Sequence, residues 1–575
     1  KRLPRLFMPH AKRIAARPID AHVQAALQEA GADPLLARLY AARGVSGADE
    51  LSDSLGSLIP YTELTNCTAA AARLADAVAA RERILVIADY DADGATACSV
   101  AVKGLSAMGA CVDFFVPNRF EHGYGLTPEL ADIAHTKGAN LILTVDNGIS
   151  SAEGVDRARE LGIDTVVTDH HISGSRVPDC IIVNPNQKGC GFPSKSIAGV
   201  GVVFYVLIAL RAELRSRGYF SGSLKEPKLD SLLDLVALGT VADVVPLDRN
   251  NRILVSQGLK RIRAGKMSHG IRALFQTARC SPQKAQPFDF GFKIAPRINA
   301  AGRLDDMSVG IGCLLSGSAH EAESMADELN SLNRERQEIE QDMLAGILAD
   351  TPQTLPEHQT TVCVYRPGFH QGVVGIVASR LKERFYRPAF VFASDDEGNY
   401  RGSGRSISGI HLRDVLDAIS KRAPDIILKF GGHAMAAGLT LRQGSLKTFE
   451  TLFEDIVSAQ ADENILAQTY LTDGSLAATD ITLERARFIG SQIWGQGFPP
   501  PSFDDTFRVL RQQSMGTDRQ HTKAWLEKDG CRFEAMFWRC ADTLPDHIRI
   551  VYRPTANEWN GRAELQLYVD YWEAA

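Results

Sequence analysis

Short apolar runs alternate with helix-like stretches between residues 83 and 185. Five of these runs are rich in β-branched and aromatic residues and are almost continuously apolar. Strands of a parallel sheet are buried on both faces, so this alternation predicts an α/β fold with a doubly wound parallel sheet. We place helices near 94–109, 127–137 and 151–161, and the strands at RILVIAD (83–89), CVDFFVP (111–117), NLILTVD (140–146), DTVVTD (164–169) and CIIVNP (180–185).

The pattern changes in the second half of the chain. Residues 318–349 carry many charges and no Gly or Pro before Gly346, which predicts a long helix between two domains. A smaller α/β segment follows, and later runs such as IRIVYRP and AELQLYVDYW are typical of a small β-barrel. We predict five regions: an N-terminal helical extension (1–65), the parallel-sheet domain (66–316), a connecting helix (317–350), a second α/β domain (351–460) and the barrel (461–575).

Composition sets the class of protein but not its chemistry. The 575 residues are too many for one core, and 45% hydrophobic with 23% charged residues is ordinary for a globular protein. The longest apolar run, GVGVVFYVLIAL (199–210), is shorter than the ~20 residues that span a bilayer. No leader-like segment opens the chain, and its ten cysteines form no CxxC pair, so we expect reduced thiols and a cytoplasmic protein. A formal net charge of -6 neither requires nor excludes nucleic acid.

Three predicted strands end in acidic or histidine side chains. In open α/β sheets the carboxyl ends of the strands form the ligand-binding edge, so these groups are expected to converge. One carboxylate there usually caps the next helix, but clustered carboxylates raise one another's pKa unless a cation binds them. The side chains are Asp89, Asp91, Asp93, Asp146, Asp169, His170 and His171.

These donors indicate which metal would bind. Carboxylate oxygens with imidazole and no thiolate favour Mn²⁺ or Mg²⁺ over structural zinc. Two such ions side by side are a common solution for hydrolysing phosphate esters. Asp243, within the apolar stretch LVALGTVADVVPL (235–247), is a further candidate because a buried acid needs a metal or an arginine partner. Residue chemistry alone predicts a metal-dependent phosphodiester hydrolase.

Eight motifs follow one another along the chain. They are DYDADG, TVDNGIS, TDHH, GTVADVVPL, PRINAAGRLDD (296–306), GVVGIVASRL (372–381), RGSGRS (401–406) and FGGHAMAAGL (430–439). With this ordered set the chain resembles the DHH phosphoesterase superfamily from about residue 65 onward. Within it, the chain is similar to the bacterial single-strand-specific 5′→3′ DNA exonucleases, and FGGHAMAAGL resembles the signature of the DHHA1 domain.

The resemblance implies a role for each acid and histidine. Asp89 is either a further metal ligand or a neighbour that supports the ligands. Asp169 would orient His170, and His171 would contact the scissile phosphate or help to protonate the leaving group; the alternative for His171 is a capping or packing role. The implied ligands of two metal ions, with Asp146 as the bridge, are Asp91, Asp93, Asp146, His170 and Asp243.

The resemblance also implies contacts to the phosphates of the substrate, including its 5′ end. Arginine suits this role because its guanidinium binds phosphate oxygens in a bidentate manner. Arg297 and Asn299, in the same predicted turn as Arg303, would support the site. Gly402, Gly404, Gly431 and Gly432 would allow backbone N–H groups to approach a phosphate. The implied contact residues are Arg119, Arg303, Ser403, Arg405, Gly432 and His433, the last of which would reach a phosphate or a base.

The last segment resembles the OB-fold that such nucleases carry, on the strength of HTKAWL (521–526) and NEWNGRAELQL (557–567). OB barrels bind single strands through a basic groove with stacking aromatic residues. Candidates are Lys523, Trp525, Trp538 and Trp559, although each tryptophan has a core position as its alternative.

Taken together, the resemblance implies a two-metal exonuclease that degrades single-stranded DNA 5′→3′ to 5′-mononucleotides in DNA repair and recombination. It implies a monomer with no membrane association, and a single-strand binding protein and a helicase as candidate partners. Three alternatives stay open: a DHH phosphodiesterase for short RNA or cyclic dinucleotides, an inorganic pyrophosphatase, and a non-catalytic DNA-binding scaffold on the same fold. The extra β segment argues against the first two, and the intact acids argue against the third.

Overall fold

The computed structural model describes residues 12–118, 121–174, 176–350, 355–356, 358–395, 397–516, 519–559 and 562–575. The chain divides into two compact units, and each contains two separate stretches of sequence. The large unit comprises Arg17–Asn333 and Asp473–Ala575, and the small unit comprises Arg334–Thr472 with the described residues up to Ala16. None of the described helices is long and apolar enough to cross a membrane.

The predicted parallel sheet is present in the large unit. The first elements of the chain are β1 (Arg13–Ala16), α1 (Ala21–Glu29), α2 (Pro34–Ala41), α3 (Cys67–Ala80), β2 (Arg83–Ala88), α4 (Ala92–Ala107), β3 (Cys111–Phe115), α5 (Pro128–Thr136), β4 (Leu141–Val145), α6 (Ala152–Glu160), β5 (Asp164–Thr168) and β6 (Ile181–Val183). Five strands pair in parallel in the order β3-β2-β4-β5-β6. The central strands β2 and β4 are buried along nearly their whole length, as their continuous apolar sequences predict.

A helical layer follows the sheet in the same unit. Its helices are α7 (Gly199–Ser216), α8 (Leu233–Ala242), α9 (Arg249–Arg263), α10 (His269–Thr277), α11 (Pro287–Asp289), α12 (Ala295–Leu304) and α13 (Ser308–Leu315). A π-helical turn, Phe290–Ile294, joins α11 to α12. The motif PRINAAGR therefore lies in helix α12 and the predicted turn is wrong, because Pro296 is tolerated in the first helical turn and the alanines that follow favour helix.

The long connecting helix and the second α/β segment are also present. They comprise α14 (Ala319–Asp350), β7 (Val362–Tyr365), α15 (Val374–Phe385), β8 (Ala389–Ser394), β9 (Tyr400–Arg405), α16 (Leu412–Arg422), β10 (Ile427–Gly432), β11 (Ala436–Leu441), α17 (Leu446–Gln460), α18 (Glu463–Leu466) and β12 (Thr469–Thr472). The small unit contains a mixed sheet of order β10-β11-β9-β8-β7. Its second sheet pairs β1 in parallel with β12, so residues 13–16 of the predicted helical extension form a strand.

The remaining elements build the predicted barrel. They are α19 (Leu483–Ser491), β13 (Phe503–Met515), β14 (His521–Lys528), β15 (Cys531–Phe537), β16 (His547–Trp559) and β17 (Arg562–Ala574). The five strands close in the order β13-β14-β15-β17-β16. Trp494 and Phe498, which precede the barrel, pack on Tyr40 of α2 with ring centroids 5.9 and 5.3 Å away. The barrel region therefore shares one apolar core with the parallel-sheet domain.

Candidate metal centre and phosphate-contact residues

Asp91 and Asp93 are held by backbone N–H groups at the N-termini of helices. Asp91 caps α4, where its Oδ1 accepts a hydrogen bond of 2.9 Å from the Gly94 N–H. Asp93 is fully buried, and its two oxygens accept the N–H groups of Gly199 and Val200 at 2.7 and 3.0 Å. These groups open α7, so the positive ends of two helices, α4 and α7, stabilise negative charge at this point.

Asp146 lies immediately after β4 in a left-handed conformation (φ 62°), and its N–H donates to the Thr168 carbonyl. A Cβ at position 199 would lie 2.4 Å from Asp146 Oδ1, so only glycine allows α7 to approach this carboxylate. Asp146 Oδ1 is buried and receives no hydrogen bond from any described residue. A buried carboxylate oxygen that accepts no hydrogen bond is expected of a metal ligand whose ion is absent.

His170 lies between two of the acids. Its Nε2 is 3.1 Å from Asp146 Oδ1 and 3.5 Å from Asp243 Oδ2. Asp243 ends α8, and Val244 after it has φ 63°, a strained conformation for a β-branched residue. Strain of this kind is common at functional sites, where the surrounding structure holds a residue in place.

Three groups of side chains bring their donor atoms within 4.8 Å of one another. Asp146 and His170 each belong to two of these groups. The groups are Asp89 with Asp91 and Asp146, Asp93 with His170 and Asp243, and Asp146 with His170 and His171.

The electrostatics of the cluster favour a bound cation. Burial, and then the charges of Asp93 and Asp91, raise the pKa of Asp146 well above its usual value. Burial, and then the charges of neighbouring acids, likewise raises the pKa of Asp243. The same two causes raise the pKa of Asp93 to about 7. Carboxylate oxygens and imidazole without sulfur suit Mn²⁺ or Mg²⁺. The donor set and the orphaned oxygen of Asp146 therefore fit these metals.

Asp169 orients His171 rather than His170, so the predicted pairing is wrong. Its Oδ1 lies 2.7 Å from the Nδ1 of His171, and it also accepts the backbone N–H groups of both histidines. Burial by itself would raise the pKa of Asp169, but the hydrogen bond and charge of His171 hold it below its usual value. Burial opposes a charged His171, yet Asp169 raises the pKa of His171 to about 9. The spacing of the motif does not reveal which ring the carboxylate contacts.

Sequence reasoning places Asn184 at a strand end but assigns no role to the groups that hold the histidine loop. Asn186 donates from Nδ2 to the His170 carbonyl at 2.6 Å, and Asn184 donates to the His171 carbonyl at 2.9 Å. Tyr124 Oη lies 3.4 Å from His171 Nδ1. The asparagines follow β6 directly, and their position at the ligand-binding edge was the signal that could have identified them.

The predicted phosphate contacts of the large unit lie on α12 or outside the described residues. Arg119 is one of the latter. Asn299 Oδ1 accepts the Ala92 N–H at 2.8 Å. Asn299 therefore holds residues 89–93, which we call the acid loop. Arg297 donates from Nε to Asn330 Oδ1 at 3.1 Å, and Arg303 is partly buried in the last turn of the helix. Helix α12 therefore supports the acid loop directly.

The other predicted phosphate contacts belong to the small unit and form a separate set. Arg405 donates from Nη1 to Ser403 Oγ at 3.1 Å, and burial lowers the pKa of Arg405. A Cβ at Gly375, in the first turn of α15, would lie 2.8 Å from Ser403 Oγ. His433 donates its backbone N–H to the Ala436 carbonyl in the β10–β11 hairpin.

Two of the glycines have a packing role. A Cβ at Gly402 or Gly404 would lie 2.3 or 2.4 Å from the ring of Phe392 or Phe390. Gly432 has φ 139°, and a Cβ there would meet the backbone of the hairpin at 2.5 Å. Around Gly431 a Cβ would meet nothing within 4 Å. The requirement for glycine at 402 and 404 therefore comes from the core of the sheet.

The barrel candidates differ in exposure. Trp538 is 52% exposed, whereas the ring centroid of Trp525 is 4.9 Å from the Arg511 guanidinium and 5.5 Å from Lys523 Nζ. Lys523 also pairs with Glu534 at 2.8 Å. The side chain of Trp559 lies outside the described set.

Three stretches of the chain match known families. Residues 83–240 match the DHH family, N-terminal domain, residues 359–459 the DHHA1 domain, and residues 472–571 the RecJ OB domain. The single-stranded-DNA-specific exonuclease RecJ of Escherichia coli K12 is 47% identical over 554 residues, which is 93% of this chain and 95% of that protein. This chain belongs to the RecJ family.

Solved RecJ structures agree with this assignment. The crystal structure of RecJ from Thermus thermophilus in complex with Mn²⁺ matches with a TM-score of 0.82 at 29% identity, covering 99% of this chain and 80% of that one. The Mg²⁺ complex of the same protein matches with a TM-score of 0.77 at 28% identity and covers 99% and 79%. The predicted fold class and the resemblance to single-strand-specific exonucleases are thereby confirmed.

Proposed function

We propose that this RecJ-family chain is a metal-dependent exonuclease that degrades single-stranded DNA 5′→3′ to 5′-mononucleotides, and that it acts in DNA repair and recombination. The observation that carries the proposal is the buried acid–histidine cluster, with Asp146 shared by two ligand groups. Similarity to single-stranded-DNA-specific exonucleases supports the substrate. The motif resemblance supports the polarity and the products.

Two Mn²⁺ or Mg²⁺ ions are the proposed cofactors. When bound, such ions activate water and stabilise the attacking and leaving oxygens of a phosphodiester. Asp89 lies with Asp91 and Asp146 in one ligand group, which supports a role as an additional ligand. The residues that would hold the ions are Asp91, Asp93, Asp146, His170 and Asp243.

The other residues bind substrate and hold protons. Asp169 lies against His171 Nδ1 and raises the pKa of His171 to about 9, so the ring would offer an N–H to a phosphate oxygen or to the leaving group. Arg303, Ser403 and Arg405 would bind phosphates, with Arg119, Gly432 and His433 in the same role. Arg297 and Asn299 would act through helix α12.

We also propose a cytoplasmic monomer with the five-region organisation given above. Its ten unpaired cysteines suit a reducing compartment. A single-strand binding protein and a helicase are proposed partners, on the resemblance alone. The phosphodiesterase, pyrophosphatase and scaffold alternatives are not favoured, because the chain matches full-length single-strand exonucleases and retains every acid of the cluster.

Single strands labelled at one end and blocked at either the 5′ or the 3′ end test the activity. With Mn²⁺ or Mg²⁺, but not with Ca²⁺ or chelator, we expect mononucleotides from strands with a free 5′ end. Equal digestion of 5′-blocked strands would contradict the polarity. Digestion that continues in chelator would contradict the metal centre.

A further inference from the structure

Two phenylalanines are unusually exposed in the segment between α10 and α12. Phe288 and Phe292 are 55% and 72% accessible to solvent, and their rings stack with centroids 4.7 Å apart and planes 23° apart. We call this pair the aromatic platform. Large apolar side chains that are exposed together commonly mark a binding surface, because leaving them in water is unfavourable.

The segment that carries the platform contacts strand β16 of the barrel and helix α8, which is followed by Asp243. At its start, Lys284 forms an ion pair with Glu558 near the end of β16. Next to the platform, a Cβ at Gly291 would lie 3.7 Å from Val241, two residues before Asp243 on α8. The chain then enters α12, whose Asn299 holds the acid loop (residues 89–93).

Two lysines close to the platform in sequence are each paired with a carboxylate. Lys293 lies 2.8 Å from Asp289, and Lys284 is paired with Glu558. Both lysines are therefore already engaged, and Lys293 Nζ also lies 5.9 Å from the centroid of the Phe288 ring. The distinctive chemistry of the segment is the exposed faces and edges of two aromatic rings, which suit the π-face of a nucleobase.

We propose that the aromatic platform stacks unpaired bases of the DNA strand as it passes from the barrel to the metal centre. This inference rests on the proposed function and adds to it a positioning site for bases. Stacking accepts every base, as a nuclease without sequence preference requires. The other possible occupant, a partner protein, is separated from DNA by the experiment below.

The test compares strands that carry or lack bases. Equilibrium binding is measured in chelator with an oligothymidylate and with a series in which one abasic site is moved stepwise from the 5′ end. We expect wild type to bind about 5- to 100-fold more weakly when the abasic site falls at the platform, the usual range for a lost base–aromatic stack. The double variant Phe288→Ala/Phe292→Ala should bind intact strands more weakly by a similar factor and lose this position dependence.

Matched variants make the result specific. Phe288→Leu/Phe292→Leu keeps apolar bulk without aromatic rings and should behave like the alanine pair. Leu55→Ala, at another exposed apolar residue of the same unit, should bind like wild type. The slope of log affinity against log salt should not change in the platform variants, because no phosphate contact is lost. Thermal unfolding and circular dichroism verify the fold.

The proposal would be overturned by folded alanine variants that bind every strand like wild type. It would also be overturned if they lose affinity but keep the abasic position dependence, since the rings would then act on something other than a base. Wild type that binds intact strands but does not cut them with Mn²⁺ would contradict the proposed function while leaving the abasic comparison valid.

Discussion

At the scale of single residues, the oxygen of Asp146 that lacks a hydrogen-bond donor gives the sharpest prediction. Asp146→Asn should lower activity by about 100-fold or more, because it removes the carboxylate proposed to be shared by the two ions. The same change should raise the unfolding temperature in chelator, since the ionised Asp146 is disfavoured by burial and by the acids around it. Asp113→Asn, at an exposed position on β3, is the control. A variant that keeps wild-type Mn²⁺ binding by calorimetry would contradict the assignment.

Gly199 yields a second prediction at this scale. Gly199→Ala would place a Cβ 2.4 Å from Asp146 Oδ1 and displace the carboxylate. We expect Mn²⁺ affinity to fall about 10-fold or more, the scale of losses when the support of a metal ligand is disturbed. The matched control is Gly346→Ala on α14, where the nearest atom is the flexible end of Arg366 at 3.3 Å. Equal metal affinity in both variants, measured by calorimetry, would show that the carboxylate has room to move.

Most of the acid–histidine cluster can be predicted from sequence because the strand ends of a parallel sheet share one edge. The order of residues does not reveal which partner each side chain contacts. The predicted pairing of Asp169 with His170 is wrong. Both histidines directly follow Asp169 in sequence, and only the path of the loop backbone determines which ring contacts the carboxylate. Asn186 escapes sequence reasoning because its role depends on a backbone carbonyl at His170.

At the scale of elements, substitution of a glycine in β9 tests whether these glycines are required for packing or for phosphate binding. Gly402→Ala would place a Cβ 2.3 Å from the ring of Phe392. Overpacking of this kind typically costs ~1–3 kcal/mol, so the small unit should unfold at a lower temperature. Gly431→Ala, where the added Cβ meets nothing, is the control in the same sheet. If Gly402→Ala keeps its thermal stability but loses DNA affinity, the phosphate interpretation is restored.

The strands of the parallel sheet are predictable to within about two residues because their apolar runs are continuous. The glycine of PRINAAGR suggests a turn. The segment is nevertheless helical, because the neighbouring alanines favour helix and α12 packs on the acid loop. Strand β1 could not be predicted, because its only strand partner among the described residues, β12, is more than 450 residues away.

At the scale of the whole molecule, the barrel cannot be removed cleanly. Deletion of residues 473–575 would remove Trp494 and Phe498 from their contacts with Tyr40. It would also remove Asp473, the 2.8 Å ion-pair partner of the buried Arg43 side chain, and the Trp494 ring that lies 5.1 Å from this guanidinium. Because the parallel-sheet domain would lose part of its shared apolar core together with this ion pair, we expect the fragment to be unfolded or aggregated by circular dichroism. A folded, monomeric fragment would contradict this.

A point change tests the barrel without this damage. Trp538→Ala, at a half-exposed ring, should keep the fold and the cleavage of short oligonucleotides while weakening the binding of long single strands. Phe533→Leu, inside the barrel, controls for a general loss of barrel stability. Unchanged binding of long strands would assign the barrel a purely structural role. Titrations with strands of several lengths provide the measurement.

The pairing of Arg43 with Asp473 also bears on how the enzyme is made. These partners are 430 residues apart, and at a synthesis rate of roughly 5–20 residues per second the second emerges about 20–90 s after the first. During that time the acids of the cluster are already present on the nascent chain, but the core that fixes their scaffold lacks Trp494 and Phe498. We expect the parallel-sheet domain to remain open on the ribosome until residues 473–498 have emerged. Newborn chains would then pass through a chaperone-dependent interval, and nuclease activity would begin only after the barrel region has docked.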